Sequence, residues 1–118
     1  METLADRRRR FRGQMNRREA MIVPGAGNAL TARVIADRQF EAVYVTGAGI
    51  ANTHLGTPDI GLVTLTELAA TVSTIAEICQ LPLVVDIDTG FGNAINTRRT
   101  VRLICLLYTS PSPRDDQT

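Results

Sequence analysis

Apolar positions along this chain follow two rhythms. Residues 21–23, 42–46 and 83–88 form short runs with little polar alternation, as expected of parallel strands covered on both faces. By contrast, Leu65, Leu68, Ala69, Val72, Ile75, Ala76 and Cys79 recur at three- and four-residue steps, which predicts one apolar stripe on a helix. Thr64 followed by Glu67 has the form of a capping box at the start of that helix. Asn28 is placed to cap an earlier helix running to about residue 39, with Leu30, Val34 and Ile35 facing inward. A polar segment over 3–19 predicts an entry helix, and a last helix starts near Asn93 and carries Arg98, Arg99 and Arg102 on one face. Residues 50–63, rich in Asn, Thr, Gly and Pro, predict a long loop with one helical turn. Three strand–helix units in succession predict an α/β fold with a parallel sheet.

Composition narrows the chemistry. With 118 residues the chain holds one small domain, and no apolar run approaches the roughly 20 residues of a membrane span. A net charge of +1 gives no field for nucleic acid or an anionic membrane. All 13 basic residues are Arg, so lysine-based phosphate loops, Schiff bases and general bases are excluded within these residues. The arginines between Arg7 and Arg18 predict a solvated helix face, because a transit peptide would lack Glu2 and Asp6 and contain Ser. Cys79 belongs to the helix stripe, and two cysteines make no disulfide framework. A reducing, cytoplasmic location is expected. His54 is the single histidine, so any His-dependent triad or metal site must use it, and a solvated loop position is the plainer reading.

Ligands of parallel α/β folds gather at the carboxyl ends of the strands. Here those ends read Pro24-Gly25, Thr46-Gly47-Ala48-Gly49 and Asp86-Ile87-Asp88-Thr89-Gly90. Carboxylates at i and i+2 of a strand share a face, and Asp86 and Asp88 so placed would repel unless a cation sat between them. Mg²⁺ held partly through water would relieve the conflict; the plainer alternative has Asp86 accepting a backbone N–H and Asp88 solvated. Asp59 either adds a third carboxylate to this mouth or serves an ordinary turn. Gly25-x-Gly27 also fits the start of a dinucleotide fingerprint, but Leu30 stands at the third glycine position and no acid follows the second strand.

Taken in order, Val23-Pro24-Gly25, Tyr44-Val45-Thr46-Gly47, Leu55-Gly56-Thr57-Pro58-Asp59 and Val85-Asp86-Ile87-Asp88-Thr89-Gly90-Phe91-Gly92-Asn93 resemble the isocitrate lyase and phosphoenolpyruvate mutase superfamily. The resemblance covers residues 4–103. It implies the start of a (β/α)₈ TIM barrel, with the N-terminal helix and first three β/α units present, in a homo-tetrameric parent that binds Mg²⁺ and a small carboxylate substrate. It also implies a Mg²⁺-dependent C–C lyase or decarboxylase, like methylisocitrate lyase or oxaloacetate decarboxylase, working through an enolate-like pyruvate species. By position, Asp86 and Asp88 match the metal-site aspartates, while Thr46, Gly47 and Ala48 match a Ser-Gly-Gly element that holds the substrate carboxylate. Tyr44 and Asp59 match residues lining the same site. The superfamily's Lys-Cys-Gly-His acid–base loop and fourth-strand Glu have no counterpart here, so the 118 residues by themselves are expected to be inactive. A phosphonate-forming mutase and a non-catalytic metabolite-binding module are the alternatives.

Residues 105–115 resemble one reading frame of a transposase sequencing-library adapter. The expected organisation is therefore 1–104 as part of a barrel lyase domain and 105–118 as a non-native tail, kept non-helical by Pro111 and Pro113.

Overall fold

The computed structural model describes residues 2–59 and 61–109. Helix α1 (Leu4–Asn16) starts at Thr3, whose hydroxyl accepts the Asp6 N–H while the Asp6 carboxylate accepts the Thr3 N–H. This reciprocal cap satisfies two donors that the first helical turn leaves without partners. Strand β1 (Gly25–Ala26) and helix α2 (Ala29–Asp37) follow, and the Asn28 side chain caps α2 by accepting the Thr31 N–H at 2.8 Å. Strand β2 (Val43–Val45) leads into a short helix α3 (Gly47–Ile50), which runs on into a wide helical turn over Ala51–Leu55. Helix α4 (Leu65–Ile78) carries the expected capping box of Thr64 and Glu67. Strand β3 (Leu83–Val85) and helix α5 (Ala94–Thr109) complete the order.

Three parallel strands lie in the order β1-β2-β3. Gly25 pairs with Tyr44 and Tyr44 with Val84, while Val43 and Val45 pair with Leu83 and Val85. Sequential order with crossovers of one hand places all connecting helices on one face, and α4 indeed packs between α2 and α5. Alternation then divides the strand residues. Val43, Val45 and Leu83 are buried in one cluster with Ala32 and Ile35 of α2 and Leu68, Val72 and Ile75 of α4. Gly25, Tyr44 and Val84 share the opposite face. An α/β arrangement with a parallel sheet is thus the architecture observed.

Three local expectations are corrected. Residues 21–23 do not form the first strand; pairing starts where the Pro24 carbonyl accepts the Tyr44 N–H at 2.8 Å, so β1 falls on Gly25–Ala26. The inward side of α2 is Ala32 and Ile35, whereas Leu30 and Val34 are exposed at 74% and 50%. The third strand stops at Val85, so Asp86 and Asp88 lie beyond it. Helix α5 continues through residues 104–105, and the expected junction falls within it. Residues 110–118, with Pro111 and Pro113, lie outside the described residues, as does Ile60.

Helix α1 is tied to a distant turn. The buried Arg7 guanidinium donates to the Gln80 side-chain oxygen at 3.0 Å and to the Leu81 carbonyl at 3.5 Å, joining α1 to the approach of β3. A cavity of about 620 Å³ lies beside this contact, between α1 and residues 82–84.

Candidate functional site

Parallel pairing brings three strand ends to one edge of the sheet. The Thr46 N–H donates to the Ala26 carbonyl at 3.2 Å and the Asp86 N–H donates to the Val45 carbonyl at 3.1 Å, which aligns the exits of β1, β2 and β3. Thr46 is extended and caps α3, its hydroxyl accepting the Gly49 N–H at 3.4 Å. The first N–H groups of α3, those of Gly47 and Ala48, have no partner within a helix at this position. They form the donor face on which a carboxylate could rest.

The β3–α5 connection supplies the acids. Asp86 accepts the Asp88 N–H through Oδ1 at 2.9 Å, and the Gly90 N–H closes onto the Ile87 carbonyl at 2.8 Å. These bonds turn the chain sharply and set Asp88 at φ 50, a left-handed conformation that Asp tolerates better than most residues. The two carboxylates therefore meet through a turn and not along one face of a strand. The backbone-capping alternative for Asp86 is the geometry found, and Asp88 is exposed. Partial desolvation first, then the charges of Asp86 and Asp59, push the Asp88 carboxyl above its ordinary value. Tyr44 joins them from β2: burial first, then the neighbouring Asp86 carboxylate and the charge of Asp88, raise its phenol. A Cβ on Gly47 would stand 4.0 Å from Asp88 Oδ2, so the donor face and the acidic turn are neighbours.

Tyr44, Thr46, Gly47, Ala48, Asp86 and Asp88 are thus brought to one mouth. Asp59 reaches it through its field on Asp88. His54 stands apart, with Nε2 at 3.7 Å from Glu67 Oε2 on an exposed surface. Among the described residues no group of three or more His, Cys, Asp or Glu side chains is placed to share a metal ion. The pair Asp86 and Asp88 offers hard oxygen donors with unrelieved mutual repulsion, a fit to Mg²⁺, which binds one or two carboxylates and retains water.

Sequence reasoning missed the close approach of the first two loops. A Cβ on Gly27 would lie 2.6 Å from the Gly49 carbonyl carbon, so Gly27 is required by backbone contact. The glycine spacing was visible in the sequence, but its neighbour across the sheet was not.

Comparison with known proteins gives the family and the fold. The family model described as phosphoenolpyruvate phosphomutase matches residues 11–107. The chain is 46% identical over 93 residues to 2,3-dimethylmalate lyase of Eubacterium barkeri, covering 79% of this chain and 32% of that protein. It is 44% identical over 92 residues to 2-methylisocitrate lyase of Aeropyrum pernix, covering 78% of this chain and 30% of that one. A solved structure of oxaloacetate acetylhydrolase in complex with the product oxalate superposes with a TM-score of 0.77 at 30% identity, over 86% of this chain and 36% of that chain. The chain spans about a third of the length of the curated relatives it matches. Relatives named as lyases, a family model matched over most of the chain and a shared fold lead to one conclusion: this chain belongs to the phosphoenolpyruvate mutase/isocitrate lyase superfamily, with its resemblance to carbon–carbon lyases.

Proposed function

We propose that these residues form part of a longer TIM-barrel enzyme, a Mg²⁺-dependent lyase or decarboxylase that cleaves a C–C bond in a small oxo- or hydroxy-carboxylate. The observation that carries this reading is the adjacency of the Thr46-Gly47-Ala48 turn to the Asp86–Asp88 turn at one sheet edge. Anion donors and acidic cation ligands side by side are what an enolate-forming site needs.

The Thr46 hydroxyl and the first N–H groups of α3 bind and orient the substrate carboxylate. Asp86 and Asp88 would hold Mg²⁺, which would supply positive charge beside the bound substrate. Tyr44, whose phenol is raised by burial and by the neighbouring Asp86 and Asp88 carboxylates, lines the site as a neutral hydroxyl. The Asp88 N–H fixes the Asp86 carboxylate. Asp59 adds negative charge at the rim. The acid–base group lies outside residues 1–118 in this reading, and the complete protein is a homo-tetramer. The matched family's description favours a phosphonate-forming mutase as the second reading.

The test is to sequence the nucleic acid across the 104–105 junction and assay the complete product. A frame that continues into a fourth strand with a Glu and a Lys-Cys-Gly-His-like loop, together with Mg²⁺-dependent cleavage that Asp88→Ala abolishes, is expected. A frame that ends after Thr118, or activity that survives Asp88→Ala, refutes the assignment.

A further inference from the structure

Thr46 differs from the serine of the superfamily element by one methyl group, and the structure shows where that methyl goes. A Cβ on Gly49 would stand 2.7 Å from Thr46 Cγ2, and a Cβ on Gly25 would stand 3.4 Å from the same atom. The methyl thus occupies space that two glycines, one in β1 and one in α3, leave free. Gly49 itself is held from behind, because Gly27 Cα lies 3.4 Å from the same Gly49 Cβ position. Real Cβ atoms do not tolerate the first of these separations, so a side chain at 49 must displace either the methyl or the α3 backbone.

A β-branched side chain is stiff at χ1, and the space left by Gly49 and Gly25 favours the χ1 well that Thr46 occupies. In that well Oγ1 accepts the Gly49 N–H at 3.4 Å, and among the described residues the Thr46 hydroxyl donates to no acceptor. Its proton therefore remains available for an anion lying on the α3 donor face. The residue whose missing side chain sets the methyl also supplies the N–H that sets the oxygen.

We propose that Gly49 is a positioning residue. By housing the Thr46 methyl and donating to the Thr46 oxygen, it aims the hydroxyl proton at the carboxylate of the substrate. This inference rests on the carboxylate-binding reading of the Thr46-Gly47-Ala48 turn. It predicts a coupling between positions 46 and 49 that an unspecific loss of packing would not produce.

The experiment is a double-mutant cycle in the complete encoded protein, with oxalate in the presence of Mg²⁺ as the probe and thermal unfolding without ligand as a second readout. Gly49→Ala is expected to weaken oxalate binding about tenfold, and in the Thr46→Ser background the same change is expected to cost less than about threefold. Gly27→Ala, whose new Cβ first meets the Gly49 and Ile50 backbone, serves as the control, and Thr46→Ser should not rescue it. Equal losses for Gly49→Ala in both backgrounds, or equal rescue of Gly27→Ala, overturns the positioning role while leaving the carboxylate reading intact. Failure of the unsubstituted protein to bind oxalate overturns both. In that case a surviving 46–49 coupling in the unfolding data identifies the contact as purely structural.

Discussion

The Asp86 carboxylate accepts the backbone N–H of Asp88 at 2.9 Å, so one acid builds the turn that presents the other. The arrangement is electrostatically costly to Asp88, whose carboxyl is pushed above its ordinary value of 3.8 by partial desolvation and by Asp86 and Asp59. An acid whose folded value is raised destabilises the fold as pH climbs through that value, because the folded state holds its proton more tightly than the unfolded chain. Asp88→Asn keeps a residue that tolerates positive φ and removes the charge. It is expected to raise the melting temperature at neutral pH without metal and to abolish stabilisation by added Mg²⁺. Melting curves with and without Mg²⁺ check both effects, and a Mg²⁺ response retained by the variant contradicts the assignment.

Glu67 has the opposite sign. Bonds from the Thr64 backbone and hydroxyl, with a smaller contribution from His54, lower its carboxyl below the ordinary value of 4.5. The stability it contributes is complete above that value and is lost as pH falls through the folded value. Glu67→Gln should therefore flatten the acid limb of a stability–pH profile, while Thr64→Ala should cost about 1 kcal/mol at neutral pH through loss of the cap.

The helix–sheet core gives a contrast between two leucines. Leu68 is 1% exposed and Leu30 is 74% exposed. Leu68→Ala should cost about 2–5 kcal/mol, whereas Leu30→Ala should change stability by less than about 0.5 kcal/mol. Urea unfolding checks both, and a large loss for Leu30→Ala would contradict an inward face of α2 made by Ala32 and Ile35.

Cys79 is fully buried at the end of the α4 stripe. It should resist thiol reagents under native conditions and react on unfolding, as a packed small hydrophobe does. Modification of Cys79 in the folded protein at the rate of a free thiol would contradict the placement.

What the sequence made legible was local. The Asn28 cap, the Thr64–Glu67 box and the α4 stripe each depend on residues within one or two helical turns, and each is present. Where a neighbouring element decides, the sequence misleads. Apolar residues 21–23 satisfy strand propensity, yet β2 pairs with Gly25 and Ala26 instead. Leu30 and Val34 satisfy helical spacing, yet the small Ala32 is the residue completely buried in the core. Motif order assigned the site residues to successive strand ends. The turn geometry of Asp86 and Asp88 arises from left-handed backbone at Asp88, Gly90 and Phe91, and residue type indicates only the glycine.

The bond from Arg7 to Gln80 spans 73 positions, and that to Leu81 spans 74. A chain leaving the ribosome can wind α1 almost at once, but the atoms that receive its arginine are made only after α2, β2 and α4. Helix α1 is therefore seated only once residues 80 and 81 have been made. Until then its basic face travels exposed beside the nascent chain, and the latch closes when the turn into β3 emerges.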